Sequence, residues 1–261
     1  MKEYKWGVLA PGNIAHRFVK GLKYAPGAKL YAVGSRDIAK AKAFADEYGF
    51  ERAYGSYAEL ARDKDVDIVY VASPHPYHEE HAVLCLNNKK AVVCEKPFAV
   101  NQKQASRMIN CARENKVFLM EGMWTRFFPT ICKTRELIAS GSIGKVMHVS
   151  ADFGFRAGIN PENRLFSPDL AGGSLLDIGI YNISFCSMIY ADVICAVKAA
   201  DDYAGRARRS MDKLAVTDVD AYMSDIIASS GCEEYQIAGS KLCLVYEYTV
   251  VSVLPVSVSG D

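Results

Sequence analysis

The chain lacks the features that mark several large classes of protein. No apolar run approaches the roughly 20 residues a membrane-spanning helix needs, and Met1-Lys2-Glu3-Tyr4-Lys5 leads into a strand pattern without an apolar leader. Neither sign of charge is in excess: 31 Lys and Arg face 30 Asp and Glu, a net charge of +1. A balance this even argues against nucleic acid or another polyanion as the main partner. None of the eight cysteines, Cys85, Cys94, Cys111, Cys132, Cys186, Cys195, Cys232 and Cys243, forms a C-x-x-C pair, and several lie inside apolar runs. They read as buried thiols, not as a disulfide framework or a zinc site. These absences predict a soluble protein of the reducing cytoplasm with no membrane and no nucleic-acid partner.

What is present is an apolar half and a regular alternation. The 261 residues, 50% hydrophobic, suffice for one large domain or two small ones. The stretch that organises the rest is Ala91-Val92-Val93-Cys94-Glu95-Lys96-Pro97: a buried strand stopped by an acid, a base and a proline. In an open parallel sheet, ligands bind beyond the carboxyl ends of the strands. Lys96 is therefore expected in a crevice; the alternative is a lysine that leaves a strand end for solvent.

Residues 5–10 read as a strand, Pro11-Gly12-Asn13 as a turn, and 14–24 as a helix with Ile14, Phe18, Val19 and Leu22 on one face. Strand, glycine turn and helix is the setting of a dinucleotide fingerprint, in which helix amides meet a pyrophosphate. The three glycine slots hold Ala10, Gly12 and Ala15, so only the middle one, where backbone approaches the phosphates, is kept. Gly12, Asn13 and Ile14 are the candidate phosphate contacts.

A second strand, 29–34, is followed by Ser35-Arg36-Asp37 and a helix over 38–48 ended by Gly49. An acid at the strand end would bond a ribose 2′-hydroxyl. Here Ser35, Arg36 and, one turn on, Lys40 occupy the place, and cations suit a 2′-phosphate, which predicts NADP, with NAD weaker. The alternative for Arg36 is a solvated arginine at a helix start.

The alternation continues. Ser56-Tyr57-Ala58-Glu59 is a capping box; 67–72 is a buried strand; Ser73-Pro74-His75-Pro76 is a loop at its end; a helix spans 77–87. A second capping box, Asn101-Gln102-Lys103-Gln104, opens a helix to Asn115, and 117–121 completes a parallel, doubly wound sheet. His75, His78 and His81 sit three apart, but nothing at ligand spacing fixes a fourth position, so no metal is expected. His75 is read as lining the cofactor crevice, and Ser73, His78, Glu95 and Lys96 join it among the cofactor-binding candidates.

After Glu121 the pattern changes. Gly122-Met123-Trp124-Thr125-Arg126-Phe127-Phe128-Pro129 gathers aromatics around an arginine, a helix runs to Ser140, and 145–155 alternates like a strand with one exposed face. Gly172-Gly173 precedes Ser174-Leu175-Leu176-Asp177-Ile178-Gly179-Ile180-Tyr181. Asp177 and Tyr181 are four apart and share a face if the segment is helical.

With these segments in view, the chain resembles the glucose–fructose oxidoreductase / inositol dehydrogenase / rhizopine catabolism superfamily. Within it the chain is most similar to the dimeric dihydrodiol dehydrogenases, which also act as D-xylose 1-dehydrogenases using NADP. The resemblance covers residues 4 to about 190 and rests on Trp6-Gly7 through Ala15, Ala53-Tyr54-Gly55-Ser56-Tyr57, His75-Pro76, Glu95-Lys96-Pro97, Met120-Glu121 with Trp124 through Pro129, and Leu176 through Tyr181. It implies an N-terminal Rossmann domain (1–122) binding NADP and a C-terminal α+β domain (123–261) with a mostly antiparallel open sheet for substrate and dimerisation.

It also implies that Lys96 contacts the nicotinamide ribose and the substrate hydroxyl, that Tyr181 is the general acid/base, that Asp177 binds substrate, and that Trp124, Arg126 and Phe127 form the pocket wall. Chemistry agrees: hydride transfer at a carbinol carbon requires a proton to move, and a tyrosine serves if an ammonium stabilises its phenolate. The alternative for Tyr181 is an interior tyrosine satisfied by backbone.

Beyond Tyr190 the family pattern is not followed. Residues 191–213 are charged and poorly patterned, and only 219–227 and 241–258 read as strands. The apolar run Val250-Val251-Ser252-Val253-Leu254 is expected at an unprotected sheet edge, and any homodimer is expected to be weakened. The expected function is NADP-dependent hydride transfer to or from a sugar or cyclic vicinal diol. The alternatives are a non-catalytic dinucleotide-binding regulator, as in a galactose-pathway repressor of the same superfamily, and an inactive shortened member.

Overall fold

The computed structural model describes residues 2–146, 148–155, 157–190, 242–246 and 249–254. The poorly patterned stretch 191–213 and the expected strand 219–227 lie outside them. The chain divides into two compact units, residues 1–123 with 158–180 and residues 124–157 with 181–261.

The first unit is a six-stranded sheet in which every pairing is parallel. Its strands are β1 (Tyr4–Leu9), β2 (Ala28–Gly34), β3 (Arg52–Tyr54), β4 (Ile68–Val71), β5 (Ala91–Glu95) and β6 (Leu119–Gly122), in the order β3-β2-β1-β4-β5-β6. The helices are α1 (Asn13–Leu22), α2 (Ile38–Tyr48), α3 (Tyr57–Arg62), α4 (His78–Asn87) and α5 (Gln102–Asn115). The short edge strand β3 has no alternating apolar run and was not expected.

Two cores cover the faces of this sheet, and the pleat sorts neighbouring residues between them. Leu9, Val69, Val71, Val92 and Cys94 pack with Leu60, Ala82, Leu86 and Met108 of α3, α4 and α5. Val8, Val33, Tyr70 and Val93 pack with Ala15 and Val19 of α1 and Phe44 and Tyr48 of α2. Strands buried on both faces must be apolar throughout, which is why they read as continuous runs. Each fully buried side chain of this size contributes about 1.5–3 kcal/mol.

The two expected caps form: Ser56 accepts the amide of Glu59, and Asn101 that of Gln104. Asp37, not expected as a cap, accepts the amides of Ala39 and Lys40. Gly49 ends α2 in the left-handed region at φ 82°.

In the second unit a 3-10 turn (Trp124–Phe127) leads into α6 (Pro129–Ala139), and α7 runs over Ile180–Tyr190. Phe185 of α7 packs against Ile131, Ile143, Val146, Val149 and Met188. Strands β7 (His148–Phe153), β8 (Leu242–Tyr246) and β9 (Thr249–Leu254) form an antiparallel sheet in the order β7-β9-β8. This corrects an expectation: 250–254 is not an unprotected edge. β9 is the middle strand, with Val253 in register with Val149 on one side and Leu242 on the other.

Candidate active site

Register sets the site in the first unit. Gly34, Leu9, Val71, Cys94 and Glu121 form one row across the five central and edge strands. Residues just beyond that row, Ser35-Arg36, Ala10-Pro11-Gly12, Ser73 and Lys96, therefore share the carboxyl edge of the sheet, where such folds bind ligands.

At the end of β1, Ala10 adopts φ 66°, a left-handed conformation that glycine takes at less cost, and the Gly12 amide returns to the Ala10 carbonyl at 2.8 Å. Gly12 precedes α1, and a Cβ built on it would meet nothing within 4 Å. The space in front of that turn admits a phosphate group against backbone, and the first-turn amides of α1, including those of Asn13 and Ile14, offer it donors.

At the end of β2, the Ser35 side chain accepts the Asp37 amide at 3.2 Å, while Asp37 caps α2. The nearest carboxylate is thus committed to the helix, and the exposed side chains there include the cations Arg36 and Lys40. The buried Ser73 hydroxyl at the end of β4 has no hydrogen-bond partner among the described residues. An open glycine turn, two exposed cations and an orphaned hydroxyl along one edge fit a dinucleotide cofactor.

At the end of β5, the Lys96 ammonium donates to the Asp177 carbonyl and, at 3.2 Å, to its carboxylate. Arg164 donates to the same carboxylate oxygen at 3.0 Å, and His75 Nε2 stands 4.0 Å from it. Burial disfavours Asp177's charge, but Lys96 and Arg164 outweigh it and hold its pKa below the usual carboxylate range. Burial lowers the Lys96 pKa, Asp177 opposing and Arg164 assisting. Burial, with His78 and Lys96 adding to it, brings His75 down to about 4, so its ring is neutral near pH 7.

Sequence reasoning missed Arg164, a lone arginine in a stretch rich in Asn, Pro and Gly. The stretch folds on itself through Gly172 N–H to Ser167 O and Gly173 N–H to Leu165 O, both 2.8 Å. A Cβ on Gly172 would stand 2.9 Å from the Arg164 carbonyl and 2.8 Å from that of Ser167, so only glycine fits.

Two expected cofactor contacts do not fit. The Glu95 carboxylate is turned inward, accepting the Tyr70 hydroxyl and the Lys96 amide. His78 is 0% exposed, with both ring nitrogens against backbone carbonyls. Neither presents an atom to a ligand. The three spaced histidines also face different partners: His75 approaches Asp177, His78 the carbonyls, and His81 stacks against Tyr77 and edges onto Tyr57.

In the second unit, the Trp124 indole N–H donates to the Tyr181 hydroxyl at 3.1 Å, and the Tyr181 ring meets Phe153 edge-on at 5.0 Å. Phe127, which closes the same turn as Trp124, is exposed. Arg126, expected in a pocket wall, bonds instead to α7: Nε to the Ser184 hydroxyl at 2.9 Å, and a terminal nitrogen to the Ser184 carbonyl and Ser187 hydroxyl. It fastens the aromatic turn to the helix that carries Tyr181. The segment carrying Asp177 is helical but not α-helical: Leu175–Gly179 forms a π turn, an irregularity frequent at functional sites.

The strand order, the glycine turn and the lysine closing β5 define an NAD(P)-binding Rossmann domain of the oxidoreductase class. Residues 4–123 match the model of the oxidoreductase family with an NAD-binding Rossmann fold, and residues 131–225 match the GFO/IDH/MocA C-terminal domain. The chain belongs to the GFO/IDH/MocA oxidoreductase family.

Among curated proteins it is similar to trans-1,2-dihydrobenzene-1,2-diol dehydrogenase of Danio rerio, 44% identical over 188 residues that cover 71% of this chain and 56% of that protein. The Mus musculus protein of the same name is 42% identical over the same coverage. Among solved structures, KijD10, a 3-ketoreductase from Actinomadura kijaniata seen with NADP and TDP-benzene, aligns with a TM-score of 0.66 and 31% identity, covering 72% of this chain and 58% of that one. The chain thus spans little more than half the length of the curated relatives it matches. Among the described residues, no helix is long and apolar enough to cross a membrane.

Proposed function

We propose that the chain is an NADP-dependent oxidoreductase that moves a hydride between the nicotinamide and a carbinol or carbonyl carbon of a sugar or cyclic vicinal diol. Residues 1–122 bind the cofactor and 123–261 handle the substrate. The observation that carries this is the Lys96–Asp177 pair, flanked by Arg164 and neutral His75, on the same sheet edge as the open Gly12 turn. The relatives support it in kind: dihydrodiol dehydrogenases by sequence, and an NADP-bound 3-ketoreductase by fold.

NADP, when bound, supplies the site that accepts or donates the hydride. Gly12, Asn13 and Ile14 hold the pyrophosphate on backbone, and Arg36 and Lys40 hold the 2′-phosphate. Ser73 and His75, beyond the end of β4, line the crevice between the Gly12 turn and Lys96. Lys96, its ammonium fixed by Asp177, contacts the ribose and steadies negative charge on the substrate oxygen. Tyr181 exchanges the proton with that oxygen, its own hydroxyl oriented by the Trp124 N–H.

The test is a panel of aldoses and cyclic diols incubated with NADP or NAD, following absorbance of the reduced cofactor. Turnover with NADP on at least one of them supports the proposal; no turnover in either direction with saturating cofactor contradicts it.

A further inference from the structure

His78 has no role in the chemistry above, yet its placement is highly constrained. Its Nδ1 lies 2.8 Å from the Pro97 carbonyl and its Nε2 2.8 Å from the Ser73 carbonyl, in a side chain sealed from solvent. Those carbonyls belong to the two segments that leave β4 and β5. A neutral ring donates to one of them and a protonated ring to both. Burial pushes the pKa down, the carbonyls of Pro97, Ser73 and Phe98 push it up, and Lys96 lowers it further. The other titratable rings about it are His75, with centroids 5.7 Å apart, and His81 on its own helix.

Pro97 directly follows Lys96, so its carbonyl fixes the turn from which the lysine side chain leaves. On the preceding side, Glu95 accepts the Lys96 amide at 3.1 Å. We propose that His78 is a positioning residue for Lys96: it fastens the Lys96–Pro97 turn to the end of β4 and so sets where the ammonium stands against Asp177. The functional consequence rests on the reading of Lys96 as an active-site group; the mechanical one does not.

The test is the titration of Lys96 itself, followed through the Cε resonance of 13C-labelled lysine in the full chain and assigned by its loss in Lys96→Met. In the native protein the pKa lies below the ordinary lysine value. In His78→Asn, whose shorter amide cannot span both carbonyls, it moves upward by about half a unit or more as the turn relaxes toward solvent. Turnover falls about tenfold or more while NADP affinity stays within about threefold, and the same substitution adds no loss in a Lys96→Met background.

A folded His78→Asn with an unchanged Lys96 titration overturns the proposal, whether or not any substrate is turned over. A shifted titration in a chain without turnover supports the positioning role and counts against the functional reading alone. If His78→Asn does not fold, the native protein still decides. A ring N–H of His78 protected from solvent exchange for hours supports the tie, and exchange within seconds overturns it.

Discussion

Lys96 and Asp177, 81 residues apart in sequence, are joined twice, through the carbonyl and through the carboxylate of the aspartate. Both side chains are nearly buried, so neither charge can rely on water. Arg164 shares the same carboxylate from a more exposed position.

That sharing predicts an asymmetry. Asp177→Asn leaves Lys96 and Arg164 side by side without their counter-charge and is expected to destabilise by about 3 kcal/mol. Lys96→Met leaves Asp177 still paired with Arg164 and removes a buried cation, so about 1 kcal/mol is expected. Urea unfolding of the two variants decides. A larger loss for Lys96→Met would mean that Arg164 does not support Asp177.

Cofactor choice follows from the end of β2. NADP is expected to bind at least about tenfold more tightly than NAD, roughly 1.4 kcal/mol, through Arg36 and Lys40. Arg36→Asp should erase the preference by placing a carboxylate against the 2′-phosphate. Equal affinities in the unmutated chain, measured by titration calorimetry, would rule out this assignment.

The parallel sheet was legible because its strands are buried on both faces. Val69–Val71 and Val92–Cys94 have no polar face to confuse the pattern, and the caps Ser56 and Asn101 mark helix starts. Lys96 and Asp177 were conspicuous in the sequence, as charges at the end of an apolar strand and within an apolar helical segment. Arg164 was not, since nothing local says which partner an arginine in a loop will find. Glu95, His78 and Arg126 erred in the other direction. Each lies beside functional residues in sequence, but whether a side chain faces ligand or backbone depends on tertiary neighbours such as Tyr70, Pro97 and Ser184. β9 failed as an edge because its partner β7 lies about 100 residues earlier in the chain.

His75 makes stability depend on acid. Its pKa is about 4 in the folded chain against an ordinary 6.5, so the unfolded chain binds the extra proton first. Its contribution is complete above about pH 6.5 and is lost as pH falls through about 4, amounting to up to about 3 kcal/mol. Thermal melts between those limits should show a slope that His75→Gln reduces. Identical slopes in the two proteins would mean that His75 is not buried neutral.

Gly172 offers a purely steric test. A methyl group there collides with the carbonyls of Arg164 and Ser167, so Gly172→Ala should cost about 1–3 kcal/mol and loosen Arg164 from Asp177. Denaturant unfolding checks the first effect. A stability change below about 0.5 kcal/mol would show that the loop adapts without strain.

Tyr181 is the group proposed to trade a proton with substrate. The measurement is kcat of Tyr181→Phe against the unmutated chain, on whichever diol or sugar is turned over with NADP. Phenylalanine keeps the ring against Phe153 and Trp124 and removes only the hydroxyl, so kcat is expected to fall by about 10²–10⁴ with NADP affinity within about threefold. A variant that retains its rate would show that the proton moves by another route and would contradict the assignment.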